Sequence, residues 1–213
     1  MQIRVDLHVH TQYSYDSLIT PEDLVFYAKK SGLDGVAITD HDRLDGALKI
    51  AKKTDFAIIP GIEISSLNGH IIGLNLQEPI PKGLSVEETV DRIHKAGGIA
   101  IACHPTALLK GSLGKHANSK FDAIEVINSS AFPFSYSVRK NQQIASRLGI
   151  AHVAGTDAHY GPEIGYAYTY INSEMEIDAI IKAISKGLCE PFGKSIPTIL
   201  RLKREFLVLK RKF

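Results

Sequence analysis

Short apolar runs rich in β-branched residues alternate along this chain with amphipathic stretches that begin at polar caps and end at glycines. The run from Ile3 to Val9 predicts a strand. The sequence TPED at residues 20–23 then supplies an N-cap, a first-turn proline and early acids for a helix that stops at Gly32. Such alternation is typical of βα units, so the sequence predicts an α/β fold.

The alternation continues through most of the chain and predicts at least seven strands and five helices. After the first strand and helix, strands are expected at 35–39, 56–65, 70–76, 98–105, 121–128, 151–159 and 166–172. Helices are expected at 44–53, 86–98, 137–149 and 174–187. Because neither a fixed-period repeat nor a long Gly/Ser/Pro linker interrupts the pattern, we expect one domain over residues 1–213, built as a closed or nearly closed barrel. A doubly wound open sheet is the alternative, although no GxGxxG or GxxxxGK[ST] fingerprint follows the first strand.

Composition limits the class of protein. With 213 residues and 44% apolar content, the chain can bury a sizeable core without disulfides. Cys103 and Cys189 are too few and too far apart for a disulfide framework, and we expect both to be core residues. No run of 18 apolar residues occurs and the first ten residues lack a secretion-signal pattern, so we expect a cytoplasmic protein without a membrane span.

The net charge of +2 hides an uneven distribution. The last 13 residues hold six Lys or Arg and one Glu, a net of +5, whereas the other 200 carry 19 basic and 22 acidic residues, a net of −3. A basic segment at 197–213 therefore ends a mildly acidic body. It predicts an amphipathic helix that either docks on the barrel or binds an anionic partner such as RNA or a membrane surface; we favour docking.

Six of the nine histidines lie at or beside predicted strands, and three acids join them at equivalent places. Each alone could be an ordinary surface or core residue, but the carboxyl ends of barrel strands form one rim, where such residues converge. Gathered imidazoles and carboxylates need cations, and mixed His/Asp/Glu sets suit Zn, Mn or Fe. The predicted metal-ligating residues are His8, His10, Asp16, His41, Glu63, His70, His104, Asp157 and His159, whereas His94, His116 and His152 are expected to be structural.

Five separated motifs resemble, in order, those of the PHP (polymerase and histidinol phosphatase) family of metal-dependent phosphoesterases. They are DLHVHTQYS with Asp16, ITDHD, GIEIS with the later GHIIG, ACHP, and AGTDAHYGPEIG. The resemblance extends from about Met1 to Ser185 and is greatest to the small stand-alone members. It implies a distorted seven-stranded (β/α)7 barrel, similar to a TIM barrel, with two or three divalent metal ions.

The resemblance also implies how the ligands are divided. It assigns His8, His10, Glu63 and Asp157 to a first metal. A second metal shares Glu63 and adds His70 and His104, and a third takes Asp16, His41 and His159.

The implied activity is hydrolysis of a phosphomonoester or phosphodiester, of a small metabolite or a nucleotide, by a metal-bound hydroxide in a di- or trinuclear site. The alternatives are a nuclease acting on RNA or DNA ends, a non-catalytic PHP module and a metallo-amidohydrolase. Asp40 is predicted either to orient an imidazole or to serve as a turn residue. Arg43, Lys110 and Arg139 are candidate contacts for substrate phosphate, although most surface Arg and Lys are merely solvated. The sequence identifies no general acid and does not predict the oligomeric state.

Overall fold

The computed structural model describes residues 1–108 and 110–211, which form nine strands and six α-helices. The strands are β1 (Gln2–Val9), β2 (Gly35–Ile38), β3 (Ala57–Ser66), β4 (Gly69–Leu74), β5 (Ile99–Ala102), β6 (Ala123–Asn128), β7 (Ala151–Gly155), β8 (Ala167–Asn172) and β9 (Cys189–Gly193). The helices are α1 (Pro21–Lys30), α2 (Asp45–Ala51), α3 (Val86–Lys95), α4 (Phe134–Leu148), α5 (Ile177–Ser185) and α6 (Thr198–Arg211). Residues 212 and 213 of the predicted basic segment lie outside the described residues.

The predicted capping signals determine where the helices begin and end. The Thr20 side chain accepts a hydrogen bond from the Asp23 amide (3.1 Å), and Ser85 does the same for Glu88 (3.1 Å). Helix α4 ends at Gly149, whose φ of +67° is the left-handed conformation that glycine adopts without strain. None of the described helices has the length and apolar character needed to cross a membrane.

The strands form a single sheet in the order β7-β6-β5-β4-β3-β2-β1-β8-β9. Neighbours are parallel from β1 to β3 and from β5 to β7, whereas β4, β8 and β9 pair antiparallel with their neighbours. A parallel bridge between Val9 and Ala158 joins the end of β1 to the chain after β7. The Thr169 hydroxyl of β8 also bonds to the backbone N–H and C=O of Ala154 in β7. These bonds nearly close the sheet into a barrel.

The barrel-shaped α/β fold is confirmed, but the strand count differs from the (β/α)7 expectation. Residues 57–74 fold back as a β3–β4 hairpin, so β4 enters the sheet antiparallel and without a crossover helix. Strand β9 follows α5 and adds to the edge of β8. A hairpin and an edge strand thus extend the described sheet to nine strands.

Two apolar clusters hold the layers together. The inner cluster draws residues from strands around the whole barrel, and Ile180 and Ile184 of α5 join it. The outer cluster packs the other faces of the strands against helices that include α1 and α3. Burial on both faces explains why the strands read as continuous apolar runs rather than as alternating ones.

Two β-bulges lie on strands that carry polar residues into the barrel. Between Asp6 and Val9, β1 advances three residues while β2 advances two. Strand β6 gains one residue on β7 between Glu125 and Ile127. Each extra residue shifts the alternation of side chains along its strand. Residues beyond a bulge that would otherwise point outward therefore point into the barrel, where the candidate ligands lie.

Candidate metal centre

Glu63, on β3, lies in the middle of the candidate ligands and is 1% exposed. One oxygen, Oε1, lies 2.8 Å from His70 Nδ1 and 3.0 Å from His104 Nε2. The other, Oε2, lies 3.3 Å from His8 Nε2 and 3.2 Å from His10 Nε2. A carboxylate whose two oxygens face separate sets of imidazoles is arranged to serve more than one cation.

The Oε2 side has the spacing of a coordination sphere. His8 Nε2 and His10 Nε2 lie 3.1 Å apart, and they lie 3.6 and 3.4 Å from Asp157 Oδ1. Ligands about 2.1 Å from a tetrahedral ion are separated by roughly 3.4 Å. The donors of His8, His10 and Glu63 therefore fit one divalent cation, and Asp157 Oδ1 lies beside the two imidazoles.

A further group forms around Asp16, in the loop after β1. Its Oδ2 atom lies 3.4 Å from His41 Nε2 and 3.2 Å from His159 Nε2. His41 also reaches the central carboxylate, with Nδ1 lying 3.1 Å from Glu63 Oε2. Asp16 Oδ1 is buried and has no hydrogen-bond partner among the described residues. An unpartnered buried carboxylate oxygen between imidazoles suits a cation ligand.

Hydrogen bonds to the far side of three rings fix which nitrogen faces the centre. His8 Nδ1 lies 3.0 Å from Glu125 Oε1, and His10 Nδ1 lies 3.2 Å from Ser14 Oγ. His159 Nδ1 lies 3.1 Å from the carbonyl oxygen of Asp157. A proton on Nδ1 in each bond leaves the Nε2 lone pair directed at the other candidate ligands, as metal-binding histidines require.

Glu125, on β6, is the orienting carboxylate that the sequence reasoning did not identify. Its Oε1 faces His8, and its Oε2 accepts hydrogen bonds from the His104 amide (2.9 Å) and from Asn128 Nδ2 (3.0 Å). The available signal was an acid flanked by apolar residues in the strand run AIEVI. Such a residue is rarely buried without a charged or polar partner.

The predicted role of Asp40 in orienting an imidazole is not what the structure shows. Its carboxylate accepts hydrogen bonds from the Thr11 amide (2.6 Å) and the Thr11 hydroxyl (2.7 Å). Burial raises the pKa of Asp40, and these two bonds offset part of the effect. Asp40 therefore fixes the loop after β1, and the alternative of a turn residue describes it better.

The charges of the centre depend on one another. Burial alone would raise the pKa values of Glu63 and Asp157, but neighbouring cationic groups hold both well below the usual range. Burial would lower the pKa of His8, but Asp157, Glu125 and Glu63 raise it well above the usual range. The centre thus favours positive charge, which divalent cations can supply in place of protons.

Two candidate ligands have strained backbones. His104 has φ of +33° and Asp157 has φ of +57°, in the left-handed region that residues with a side chain rarely adopt. Both follow strands, at the end of β5 and just beyond β7. Such strain persists where the surrounding structure demands it, and here it turns both side chains toward Glu63 or its partners.

A cavity of about 410 Å³ opens over the centre, which is a size suited to a small molecule. Lys110, one of the predicted phosphate contacts, lines this cavity and forms an ion pair with Asp157 Oδ2. Arg43 lines a neighbouring cavity with Tyr15 and is paired with Asp45 at 3.0 Å. Arg139 is exposed on α4 and is not among the residues lining either cavity.

Two further cavity residues escaped the sequence reasoning. Tyr15 is 83% exposed and stacks on His41, with ring centroids 5.4 Å apart. Arg204 of α6 lines an adjoining cavity of about 270 Å³ together with Lys110. Sequence position gave no hint of Arg204, because the cavity exists only once the terminal helix packs across the rim.

The remaining histidines and cysteines occupy different environments. His94 pairs with Asp122 at 2.8 Å on the surface, and His152 begins β7 beside a cavity away from Glu63. Cys103 is buried as expected, but its sulfur lies 3.4 Å from Glu63 Oε1. Burial and the nearby carboxylates raise the pKa of Cys103 well above the usual range, so the thiol remains a neutral donor.

The structure brings all nine predicted ligands into one connected cluster, and groups of their donor atoms lie within 4.8 Å of one another. Mixed imidazole and carboxylate donors suit Zn, Mn or Fe. Cations bound there can act as Lewis acids and lower the pKa of water.

Comparison with known proteins identifies the family of this chain. The PHP domain family model matches residues 6–210. An uncharacterized protein of Methanocaldococcus jannaschii is 40% identical over 140 residues, which is 59% of this chain and 82% of that protein. A 5'-3' exoribonuclease of Haemophilus influenzae is 36% identical over 89 residues, covering 38% of this chain and 32% of the enzyme.

A solved two-domain protein of Bacteroides vulgatus, which contains a PHP-like metal-dependent phosphoesterase, has the same fold. The two structures superpose with a TM-score of 0.75 at 18% identity, over 91% of this chain and 65% of the longer one. Because so low an identity establishes the fold alone, the family assignment rests on the match that covers almost the whole sequence. This chain belongs to the PHP family of metal-dependent phosphoesterases.

Proposed function

We propose that this protein hydrolyses a small phosphate monoester or diester at the Glu63 centre. The observation that supports this proposal is the Glu63 carboxylate, whose two oxygens face separate sets of imidazoles beside a cavity of about 410 Å³. We assign the three ligand groups as the resemblance implies, with Glu63 shared between the first two. Divalent cations held there supply the Lewis acidity that phosphoester hydrolysis needs at neutral pH.

The protein's own residues bind and orient. Lys110 holds its positive charge at the cavity wall, where an ammonium group can bind a phosphate oxygen. Burial lowers the pKa of Lys110, but Asp157 outweighs that effect and raises it, so the ammonium stays protonated. Glu125 and Ser14 hold His8 and His10 with Nε2 facing the centre.

The proposal is tested with metal-depleted protein reloaded with manganese, zinc or iron. The substrates are a chromogenic phosphate ester, phosphorylated metabolites, mononucleotides and short oligonucleotides. Glu63→Gln and Asp157→Asn should each lower metal stoichiometry and abolish turnover, because each removes a charged oxygen donor from the centre.

His116→Gln is the matched control, because His116 lies in a 3-10 turn and is not among the residues lining the cavity. It should retain both metal and activity. Full activity in Glu63→Gln, or inactivity of fully loaded wild-type protein on every phosphate ester, would contradict the proposal.

One observation favours nucleotide-containing substrates as a second candidate. Tyr15 presents an exposed ring beside His41 at the cavity mouth, and aromatic rings bind unpaired bases by stacking. The similarity to an exoribonuclease points the same way. Tyr15→Ala should then raise KM for oligonucleotides while leaving KM for the chromogenic ester unchanged. Equal effects on both substrates would exclude a stacking role.

A further inference from the structure

Helix α6 docks on the barrel through its arginines. Arg201 donates hydrogen bonds to two carbonyl oxygens in the segment after β6, at 2.8 and 3.0 Å. Arg204 pairs with the fully buried Glu163 at 3.3 Å, and Arg211 donates to the carbonyl oxygen of Ser17 at 3.0 Å. The attached face of the helix therefore carries these three arginines, together with the half-buried side chains of Leu200, Leu207 and Val208.

An apolar stripe on the opposite side of α6 points into solvent. Ile199, Leu202, Phe206 and Leu209 are 72%, 62%, 65% and 57% exposed. A surface helix normally buries its large apolar side chains, but α6 leaves these four in solvent, on the side away from its arginines. At 100° per residue the centre of this stripe lies about 160° from the arginines, so a partner can cover it without displacing α6 from the barrel.

The spacing of the stripe is that of a coiled-coil seam. Steps of three, four and three residues place Ile199 and Phe206 at heptad position a, and Leu202 and Leu209 at position d. Four large apolar side chains, each more than half exposed, present on the order of 400 Å², which is already at the size of a functional patch. The expected partner is another apolar helix.

Charge argues against a lipid or nucleic-acid partner. The three arginines are turned to the barrel, which leaves Lys203 and Lys210 as the basic residues beside the stripe within the described part of α6. Each such cation contributes only about 1 kcal/mol to binding at an anionic membrane.

The same charges make the helix complementary to itself. In a parallel pair, Glu205 at position g faces Lys210 at position e of the other copy, and two-fold symmetry repeats the contact. An antiparallel pair would instead bring Lys203 and Lys210 of the two copies together. We propose that two copies of this chain associate through parallel pairing of their α6 stripes, with the barrels on opposite sides of the helix pair. This proposal is independent of the chemistry at the metal centre.

The apolar stripe supplies about half of the roughly 800 Å² per partner that a stable interface buries, so we expect micromolar association. Sedimentation equilibrium of the full chain, from low micromolar concentration upward, should show a monomer–dimer equilibrium. Phe206→Lys should raise the dissociation constant at least about tenfold, because it buries a charge in the seam. Phe26→Lys is the control, because Phe26 is also exposed (58%) but lies on α1.

Charge reversal tests the direction of pairing. Lys210→Glu should weaken the dimer by placing like charges together, and adding Glu205→Lys should restore it. Far-ultraviolet circular dichroism verifies that each variant keeps its helices. A protein that stays monomeric at every concentration, or a dimer unaffected by Phe206→Lys, overturns the proposal. So does a monomer that binds anionic vesicles through the stripe, and failure of the charge-reversal rescue overturns the parallel arrangement.

Discussion

Glu125 offers the sharpest test of how the centre is built. Its side chain is buried and accepts three hydrogen bonds, from His8 Nδ1, the His104 amide and Asn128 Nδ2. Glu125→Ala leaves His8 Nδ1 and the His104 amide without an acceptor, whereas Asn128 Nδ2 keeps its hydrogen bond to Asp157 Oδ2 at 3.2 Å. Each buried unsatisfied donor costs about 1–3 kcal/mol, and with partial relaxation we expect a total loss of roughly 3–5 kcal/mol in the free energy of unfolding.

Glu125→Gln separates folding from function. An amide oxygen in the Oε2 position can still accept from His104 and Asn128, which leaves the amide NH₂ facing His8 Nδ1. His8 must then accept at Nδ1 and carry its proton on Nε2, the nitrogen that faces Glu63. We expect a stability loss of only about 1 kcal/mol but a 10- to 100-fold loss of metal affinity, as for other residues that orient metal ligands.

Two measurements distinguish these effects. Urea unfolding of the metal-free protein gives stability, and competition with a chromogenic chelator gives metal affinity. Glu87→Gln, an exposed carboxylate on α3, is the matched control and should change neither. Wild-type affinity in Glu125→Gln would refute the argument that the bond to Nδ1 determines which nitrogen of His8 faces the metal.

Three further predictions concern residues outside the ligand set. Asp6→Ala removes the acceptor of the Thr156 amide and of two further backbone amides, so chemical unfolding should show a loss of about 2–4 kcal/mol; a loss under 1 kcal/mol would contradict this. Arg204→Ala should lower the free energy of unfolding by about 1–2 kcal/mol in the same assay. This loss is smaller than for most buried ion pairs because Glu163 keeps two backbone N–H donors. An unchanged free energy of unfolding would mean that the ion pair does not help to hold α6. Burial raises the pKa of Cys189 to about 11, so its thiolate should be scarce at pH 8 and alkylation should accelerate about tenfold per pH unit up to pH 10; rapid labelling at pH 8 would contradict the shift.

Local sequence signals predicted much of the fold because they act within a few residues. Thr20 and Ser85 cap their helices where expected, and Gly149 ends α4. Apolar runs identified the strands from β1 to β8, but the short exposed strand β9, with Pro191 in its middle, carried no such signal. The direction of β4 also escaped prediction, since strand propensity does not specify whether neighbours run parallel.

The candidate site was predictable as a list of residues but not as a geometry. The spacing of His8 and His10 and the acids near strand ends identified the chemistry, because few other arrangements gather such groups. Three features depend on how strands meet around the barrel: the two β-bulges, the left-handed backbones of His104 and Asp157, and the position of Glu63 between separate sets of imidazoles. Glu125 was missed for the same reason, because its partners lie up to 117 residues away in the sequence.

The terminal helix α6 shows most clearly which properties depend on local sequence and which depend on tertiary structure. Its sequence by itself determined an amphipathic, basic helix, because helical periodicity is a property of neighbouring residues. Tertiary structure alone decided which face is attached. Carbonyl oxygens after β6 and the buried Glu163 carboxylate accept the arginines, so the face that carries the arginines lies against the barrel and the stripe around Phe206 is left in solvent. That outcome depends on acceptors supplied by distant segments, which no local pattern in the helix encodes.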